Sequence, residues 1–498
     1  MTSTSMKPPP ARITHRFSDA RPAGVRSIAG LALAACGPLL ALAADAVETP
    51  PPAMGARPNI IFILTDDQGW GDAGFAGHPY AKTPHLDRFA AQATWFRQFY
   101  APASVCSPSR CGFMTGQWPA RHRIHGHFAT PELNAARSMP DWLDPSVPTV
   151  TALLREAGYV TAHIGKWHLG HGPDSPELSA YGIDHARHVL GRNEFWPRKS
   201  TEPHAAARTT AKFVDEAIAF IHDHQDRPFY MNLWTLLPHA PLDPTPEQVA
   251  DYRDLRPDPA NPAFAGWTEA YLAAAQDLPG QMRIYCAALT DIDTQLGRLF
   301  DALDRLGLSE NTLILLASDN GPEDYRVANA ANAGVGVSGP LRGRKRSLFE
   351  GGIRTFGLAR WPGKIAAGKR DEHSVLCGVD WLPTVCRIAG VDLPPDLRLD
   401  GEDVTDILLG ATRPRRKPLL WQWTGRVAGD AEYKSPSLGV RDGNWKLFVD
   451  PQGRNAELYD IPADPGEHTN RAADHPEVVK RLTATVLDWK QTLPIDPR

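Results

Sequence analysis

Residues 59–72 read NIIFILTDDQGWGD, an apolar run that passes directly into a polar turn. The run at 59–65 is apolar and β-branched, which predicts a strand buried within a parallel sheet. Three further runs of this kind, each ending in polar residues, lie at 159–165, 229–237 and 313–318. Because ligands of such sheets bind at the carboxyl ends of the strands, the residues that follow these runs indicate where a functional site would lie.

Amphipathic segments separate the runs, for example at 209–224 and 282–306, and are typical of crossover helices. This alternation predicts an α/β fold in which a large mixed, mainly parallel sheet is sandwiched by helices. The pattern shows no internal repeat, and we assign the main domain to residues 57–395.

The pattern changes in a Pro- and Asp-rich region at 391–401. Short strands are predicted at 445–449 and 457–461, and a helix is predicted at 475–493. We therefore expect a smaller C-terminal α+β subdomain at 396–498 that contains an antiparallel sheet.

The N-terminal segment at 1–44 has the features of a secretory signal peptide: basic residues, then an apolar stretch at 28–44 that ends in small residues. A Pro-rich spacer at 45–56 follows. The alternative is a lipobox, Leu-Ala-Ala-Cys, which would place a lipid anchor on Cys36, although the apolar run continues past this cysteine. Both alternatives predict an exported protein, either periplasmic or secreted.

The composition is that of a globular protein. Of 498 residues, 42% are hydrophobic and 22% are charged, with a formal net charge of -4. There is no excess of basic residues to predict a nucleic-acid partner, so an anionic ligand would have to be met by local positive charge. No later run approaches the ~18 apolar residues of a membrane-spanning helix, and we expect no transmembrane span.

Oxygen-rich residues follow two of the predicted strands. Asp66 and Asp67 come directly after the first strand, and Asp319 and Asn320 follow the strand at 313–318. Adjacent carboxylates repel each other unless a cation neutralises them, and hard oxygen ligands suit Ca²⁺ or Mg²⁺. A solvated acidic turn is the alternative for either pair alone, but two such pairs in one sheet favour a metal site.

Five cysteines remain after the predicted leader, and an odd thiol in an exported protein calls for a reason. Cys106 begins the pentapeptide CSPSR, in which Pro108 fits the first turn of a helix. Cys106 would then lie just ahead of a helix N-terminus, where N–H groups favour a thiolate or a negative oxygen; the alternative is a buried, inert cysteine. No pair has the CxxC spacing of a zinc site. The sequence leaves open the pairing of the others, which are Cys111, Cys286, Cys377 and Cys386.

The pentapeptide CSPSR, followed by Thr115-Gly116, resembles the signature of the type I sulfatases, whose cysteine is converted to formylglycine. The other motifs of that family follow in order: DDQGWGD at 66–72, TPHLD at 83–87, GKWHLG at 165–170, PHAP at 238–241, DNG at 319–321 and RGRKxxxxEGG at 342–352. The segment ELYDIPADPGE at 457–467 also resembles the family. Two departures are Met114, where leucine is common, and Arg344, where the family often has glycine.

The resemblance implies an alkaline-phosphatase-like fold and one Ca²⁺ ion. Its ligands would be an oxygen of the modified Cys106 and the side chains of Asp66, Asp67, Asp319 and Asn320. Hydrated formylglycine has two hydroxyls: one would attack the sulfur, and the other would allow the sulfated intermediate to collapse and release sulfate. A maturation enzyme that generates formylglycine is therefore an implied partner.

The same resemblance assigns roles to five further residues. Arg110, one helical turn after Cys106, would hold the diol in place. Lys166 and Lys345 would bind the sulfate oxygens, since the transferring group keeps its negative charge there. His168 and His239 would handle protons at the diol and at the leaving oxygen, in an order that the sequence leaves open, and His239 would also contact the substrate.

The overall similarity to arylsulfatases and N-acetylgalactosamine-6-sulfatases implies a sulfated carbohydrate as substrate. One alternative is a phospho- or phosphonate-ester hydrolase with the same nucleophile, but the sequence has no additional Asp/His cluster for a second metal set. Another is a non-catalytic glycan-binding relative, which would be expected to lack one of the reactive residues. A basic cluster after the signature would contact further anionic groups or form a solvated loop; it comprises Arg121, His122, Arg123, His125 and His127.

Overall fold

The computed structural model describes residues 57–196, 202–264, 266–324, 330–425 and 435–494. The predicted signal peptide at 1–44, the spacer at 45–56 and the lipobox cysteine Cys36 lie outside the described residues and stay predictions. Within the described residues, no helix has the length and apolar character needed to cross a membrane. The five cysteines of this part of the chain are all buried and form no disulfide.

The main sheet of the described chain has eight strands in the order β4-β3-β5-β1-β6-β7-β2-β8. They are β1 (Asn59–Thr65), β2 (Thr94–Tyr100), β3 (Val160–Lys166), β4 (His185–Val189), β5 (Phe229–Trp234), β6 (Thr312–Ser318), β7 (Arg354–Arg360) and β8 (Lys369–Cys377). Only β7 runs opposite to its neighbours β6 and β2, while the other pairs are parallel. The mixed, mainly parallel sheet predicted from the sequence is therefore confirmed.

Helices cover both faces of this sheet, as strand β1 shows. Ile61 and Ile63 pack into one apolar cluster, whereas Phe62 and Leu64 pack into another on the opposite face. The α-helices described are α1 (Pro84–Ala91), α2 (Cys106–Thr115), α3 (Pro131–Ala136), α4 (Val150–Glu156), α5 (Thr209–Asp223), α6 (Pro246–Ala250), α7 (Trp267–Ala273), α8 (Leu278–Arg305), α9 (Glu350–Ile353), α10 (Trp381–Ala389), α11 (Thr405–Leu408) and α12 (Pro476–Gln491). Residues of α5 and α8 join the first cluster, and residues of α2, α4 and α10 join the second.

The C-terminal part forms a second sheet, which is antiparallel and has the order β12-β11-β10-β9. Its strands are β9 (Leu419–Gln422), β10 (Leu438–Asp442), β11 (Trp445–Val449) and β12 (Glu457–Asp460). Helix α12 packs on it through Leu482, Val486 and Trp489. The predicted antiparallel sheet and C-terminal helix are confirmed, whereas the boundary at residue 395 stays a prediction.

The direction of the strands gathers the predicted site residues at one edge. Strands β1, β3, β5 and β6 are mutually parallel, so the residues after their carboxyl ends lie on the same side of the sheet. Strand β2 also ends at this side, because it is antiparallel to β7, which is in turn antiparallel to β6. The segment from β2 to α2 therefore brings Cys106 to the edge where Asp66 and Asp319 lie.

A buried ion-pair cluster joins the C-terminal sheet to the start of α9. The Nζ atom of Lys446, on β11, lies 2.7 Å from Glu350 Oε1 and 3.0 Å from Glu467 Oε1, and all three side chains are 0% exposed. Burial, only partly offset by Lys446, raises the pKa of Glu467 to about 7. Lys446 is thus the charge that allows two carboxylates to share one buried space.

We predict that Lys446→Met lowers the free energy of unfolding by about 3–5 kcal/mol, because Glu467 loses its buried cation and Glu350 is left with the longer, 3.3 Å contact to Arg354. Urea denaturation followed by fluorescence measures the change. Lys480→Met, which removes an exposed lysine of α12, is the matched control and should change stability little. A loss below 1 kcal/mol for Lys446→Met would show that Lys446 contributes little to holding the two parts together.

Candidate active site

The loop after β1 is held in a fixed conformation at the sheet edge. Asp66 and Asp67 are both buried, and Asp67 has a left-handed φ of 64°. The Asp67 N–H donates to Asp319 Oδ1 over 3.1 Å. A Cβ on Gly69 would lie 2.2 Å from the Val337 carbonyl oxygen, so only glycine fits there. The backbone that carries the two adjacent carboxylates is therefore fixed, and it cannot move to separate them.

Cys106 is the first residue of α2 rather than the residue ahead of it, because Val105 is the N-cap. Its Sγ lies 3.3 Å from Asp66 Oδ1 and 3.9 Å from Asp67 Oδ1. Burial and the nearby Asp66 carboxylate raise the pKa of the Cys106 thiol far above its ordinary value. The unmodified side chain is therefore a neutral thiol that donates to carboxylates, which makes it a poor nucleophile by itself.

Arg110 connects three of the strand ends. Its Nε and Nη2 donate to Asp319 Oδ2 over 3.1 and 2.7 Å, and its Nη1 donates to the Lys166 carbonyl over 2.7 Å. The guanidinium also lies over the Trp234 ring, 5.1 Å from its centroid. Because the side chain is fully buried, these contacts fix Asp319 relative to α2 and β3.

Two buried lysines neutralise the carboxylates after β1. Lys166 Nζ lies 2.5 Å from Asp66 Oδ2, and Lys345 Nζ lies 2.6 Å from Asp67 Oδ2. Burial opposes the charged form of Asp67, but Lys345 and other nearby cations hold the pKa of its carboxyl well below the usual range. Burial likewise opposes the charge of Lys345, and Asp67 raises its pKa well above the usual value. Both lysines are positively charged groups at the base of the site.

The oxygen donors at the edge have the chemistry of a hard-cation site. Asn320 Nδ2 donates to Asp67 Oδ1 over 2.8 Å, which leaves the buried Asn320 Oδ1 without a hydrogen-bond partner among the described residues. Ligand atoms of Asp66, Asp67, Cys106 and His239 lie within 4.8 Å of one another. A buried amide oxygen beside several carboxylates fits Ca²⁺, which prefers such oxygens.

The two histidines predicted for proton transfer both line the site but make different contacts. His239 Nε2 lies 3.7 Å from Asp67 Oδ2, and His239 Nδ1 donates to the Ala240 carbonyl. Burial and the positive charge of Lys345 lower the pKa of His239 to about 3, so its ring is neutral near pH 7. His168 has a left-handed φ of 55°, and its Nε2 donates to the Phe128 carbonyl over 3.3 Å.

A cavity of about 420 Å³ opens over these residues. The predicted residues that line it are Asp66, Cys106, Lys166, His168, His239 and Lys345. The other predicted residues lie behind this lining, and each contacts it or its neighbours: Asp67, Arg110, Asp319 and Asn320. The structure thus brings every predicted site residue into one group.

The basic cluster after the signature does not act as one surface. Arg121 makes two 2.6 Å contacts with the carboxylate of Asp400, and both side chains are about 10% exposed. His122 is mostly buried, and burial lowers its pKa to about 4. Of the cluster, His127 lines the cavity. His127 is thus the member placed to contact an anionic group inside the cavity, and contacts of Arg123 and His125 with anionic groups stay a prediction.

Two charged residues at the cavity were not identified from the sequence. Glu323 Oε2 lies 3.4 Å from Lys345 Nζ. Glu323 also forms an ion pair with Arg346, which lines the cavity. Glu323 lies two residues beyond the DNG motif, and Arg346 directly follows Lys345. Their positions beside motif residues were the only signal, because the contact between them depends on how the two loops meet.

The fold and site together define a class of protein. A mainly parallel sheet sandwiched by helices carries, at its carboxyl edge, a cavity with two buried lysines beside a group of oxygen donors. Fixed cations of this kind bind an anionic group whose charge stays on its outer oxygens. The class is therefore an α/β enzyme that acts on anionic substrates.

Comparisons with known proteins identify the family within this class. The Sulfatase family model matches residues 58–391, and the model described as N-sulphoglucosamine sulphohydrolase, C-terminal, matches residues 344–492. Arylsulfatase A of Homo sapiens is 30% identical over 500 residues, covering 89% of each chain. N-acetylgalactosamine-6-sulfatase of Canis lupus familiaris is 32% identical over 491 residues, covering 88% of this chain and 86% of that one. The chain belongs to the sulfatase family and is a sulfatase, as its motifs predicted.

Solved structures agree on the fold. The structure of Ps i-CgsB in complex with k-i-k-neocarrahexaose has a TM-score of 0.69 at 23% identity, covering 87% of this chain and 92% of that one. The alkaline-phosphatase-like architecture expected from the sequence is therefore confirmed.

We predict that Arg121→Gln acts on stability and not on substrate binding. It breaks an almost buried pair with Asp400 and should lower the free energy of unfolding by about 2–3 kcal/mol. Arg123→Gln, in the same cluster, is the matched control and should leave stability nearly unchanged. Urea unfolding and the KM for a sulfated polysaccharide are measured for both variants. A rise in KM for Arg121→Gln without loss of stability would instead assign Arg121 to substrate recognition.

Proposed function

We propose that this enzyme removes sulfate from a sulfated carbohydrate, using a formylglycine made from Cys106 and one Ca²⁺ ion. The observation that carries the proposal is the position of Cys106, which is buried at the start of α2, 3.3 Å from Asp66, at a cavity that also holds Lys166 and Lys345. A carbohydrate is supported by the relatives, which include an N-acetylgalactosamine-6-sulfatase.

The oxygen donors would hold the calcium ion. Asp66, Asp67 and Asp319 supply carboxylates, and Asn320 supplies the buried amide oxygen that has no partner among the described residues. Burial and the nearby Asp66 raise the pKa of Asp319 to about 6, so this group of carboxylates benefits from added positive charge. When bound, a divalent cation neutralises these carboxylates and polarises an oxygen on residue 106.

Formylglycine at position 106 would supply what the thiol lacks. Its hydrated aldehyde offers a hydroxyl as nucleophile and a second hydroxyl that permits release of sulfate. The protein positions this side chain through the first turn of α2, where Ser109 accepts from the Ala103 N–H over 3.1 Å and donates to the Ala103 carbonyl over 2.8 Å. These contacts fix the segment that leads into the helix.

The cations at the cavity base would bind the sulfate group. Lys166 pairs with Asp66 and Lys345 with Asp67, so their ammonium groups reach the cavity from two elements of the fold. His239, which donates through Nδ1 to Ala240, keeps its other ring nitrogen directed toward the same carboxylates. Both histidines line the cavity: His168 would protonate the leaving oxygen, and His239, whose ring is neutral and whose Nδ1–H is engaged with Ala240, would accept a proton through its other nitrogen.

The cellular setting follows from the same proposal. The predicted leader would send the chain out of the cytoplasm, either secreted or to the periplasm, where sulfated polysaccharides are accessible. A formylglycine-generating enzyme would have to modify Cys106, which is 2% exposed in the folded chain. We therefore propose that the modification precedes folding, because a buried residue offers no access to a second enzyme.

The first test is the state of residue 106 together with the reaction catalysed. We expect peptide mass spectra of the protein from its native host to show loss of the Cys106 thiol and gain of an aldehyde or its hydrate. The protein should hydrolyse aryl sulfate much faster than aryl phosphate, and Cys106→Ala should abolish both activities. Cys286→Ala, which removes another buried thiol on α8, is the control and should remain active. An unmodified thiol in active protein, or faster hydrolysis of the phosphate, would overturn the proposal.

Calcium binding has a readout that does not need activity. Added Ca²⁺ should raise the melting temperature of the Cys106→Ala protein, because a ligand at about 100 times its Kd contributes about 2.7 kcal/mol. Asn320→Leu removes the buried amide oxygen and should abolish most of this shift, whereas the exposed Asn444→Leu should not. Equal shifts in both variants would place the ion elsewhere.

A further inference from the structure

Arg346 occupies an unusual position in the cavity. It directly follows Lys345, has a left-handed φ of 70°, and its backbone N–H donates to the Ser104 carbonyl over 2.9 Å. Residues other than glycine rarely adopt such a conformation, and they keep it where the surroundings impose it, often at functional sites. The fold thus directs the Arg346 side chain to the cavity wall, where it is 18% exposed.

The guanidinium of Arg346 is held in place by one carboxylate. Glu323, which is 2% exposed, pairs with Arg346 Nη1 and lies 3.3 Å from Nη2. A guanidinium has five N–H donors, and among the described residues these are the two hydrogen bonds that the Arg346 side chain makes. Glu323 also lies 3.4 Å from Lys345 Nζ, so one carboxylate orients both neighbouring cations of this loop.

His127, which lines the same cavity, lies in a positively charged environment. It lines the cavity with Arg346, and burial together with nearby cations lowers the pKa of His127 to about 4, so its ring is neutral near pH 7; these cations are Arg137, Lys345, Arg346 and Lys166. The charged groups that act on His127 from different parts of the chain are therefore cationic. A second anion near Arg346 and His127 would meet this positive charge together with the N–H donors of the guanidinium.

We propose that Arg346, with His127 beside it, binds a second anionic group of the substrate, so that the enzyme prefers a sugar that carries both the scissile sulfate and another anion. The proposal rests on the proposed sulfatase function of the same cavity. The second group is a sulfate or a carboxylate, since a guanidinium pairs well with either. Arg346 is thus a specificity-determining residue, and Lys166 and Lys345 serve the scissile sulfate.

The test measures binding separately from turnover. In the Cys106→Ala background, calorimetry gives the Kd of three oligosaccharides of equal length: one with a single sulfate, one with two sulfates, and one with a sulfate and a uronate carboxylate. Arg346→Gln should weaken binding of the two dianionic ligands about tenfold relative to the monosulfated one, as expected for loss of a charge-assisted contact. Arg346→Lys should recover part of the preference, because it keeps the charge without the planar donors.

A double variant separates recognition from structure. Arg346→Gln leaves Glu323 without its main partner, whereas Glu323→Gln with Arg346→Gln removes both charges of the pair. If Arg346 reads a second anion, the preference stays lost in the double variant. If Arg346 only compensates Glu323, all three ligands lose affinity equally in the single variant and regain it in the double variant, which would overturn the proposal.

Controls distinguish this inference from the proposed function. Arg88→Gln removes an exposed arginine paired with Asp301 on α8 and should leave all three Kd values unchanged. Turnover of the same oligosaccharides by the matured wild-type protein is measured in parallel. Failure to hydrolyse any of them counts against the proposed function, whereas an unchanged ratio of Kd values in Arg346→Gln refutes the role of Arg346 alone. Comparison of the two dianionic ligands shows whether sulfate or carboxylate is preferred.

Discussion

The burial of two adjacent carboxylates at the end of β1 is the constraint on which the site depends. Asp66 and Asp67 are almost completely inaccessible, and such charges are tolerated only when cations compensate them. The cations come from separate elements: Lys166 ends β3, and Lys345 lies in the loop before α9. Because Lys166 and Lys345 must reach these carboxylates, the buried charges constrain where β3 and the loop before α9 lie relative to the end of β1.

The same contacts explain why the site cannot be regarded as a set of independent residues. Replacing a buried ion pair by apolar side chains is often neutral or stabilising, so stability alone gives little reason to keep these charges. Their reason is function, because a cavity with fixed cations needs carboxylates to hold those cations in position. Arg110 connects these residues to the end of β6. It donates both to the Asp319 carboxylate and to the backbone carbonyl of Lys166. A substitution at one member should therefore disturb the others, and effects of pairs should not add.

The sequence predicted four of the eight strands of the main sheet from their continuous apolar runs, whereas the interior strands β2 and β7, which contain arginines, were not predicted. Strands β1, β3, β5 and β6 were expected within a few residues of their observed bounds. Strand β8, with the sequence KRDEHSVLC, was missed because it lies at an edge and its polar residues hide the strand pattern. Helix α8 begins four residues before the predicted start at 282, since Asp277 caps it by accepting from the Gly280 N–H. Contacts between distant loops, such as Glu323 with Arg346, have no local pattern that would predict them.

Strand ends and loops both contribute to the site, and the loop before α9 carries Lys345, which serves the scissile sulfate, next to Arg346. Residues that end strands, such as Asp66 and Lys166, have positions fixed by the sheet, so the chemistry they perform is tied to the fold. Arg346 instead lies in a loop whose conformation is set by a few local contacts, including its N–H to the Ser104 carbonyl. Loops carried by a rigid scaffold can change their side chains without disturbing the sheet. A change at Arg346 would therefore alter substrate preference while Asp66 and Lys166 at the strand ends, and Lys345 through its pair with Asp67, keep their positions.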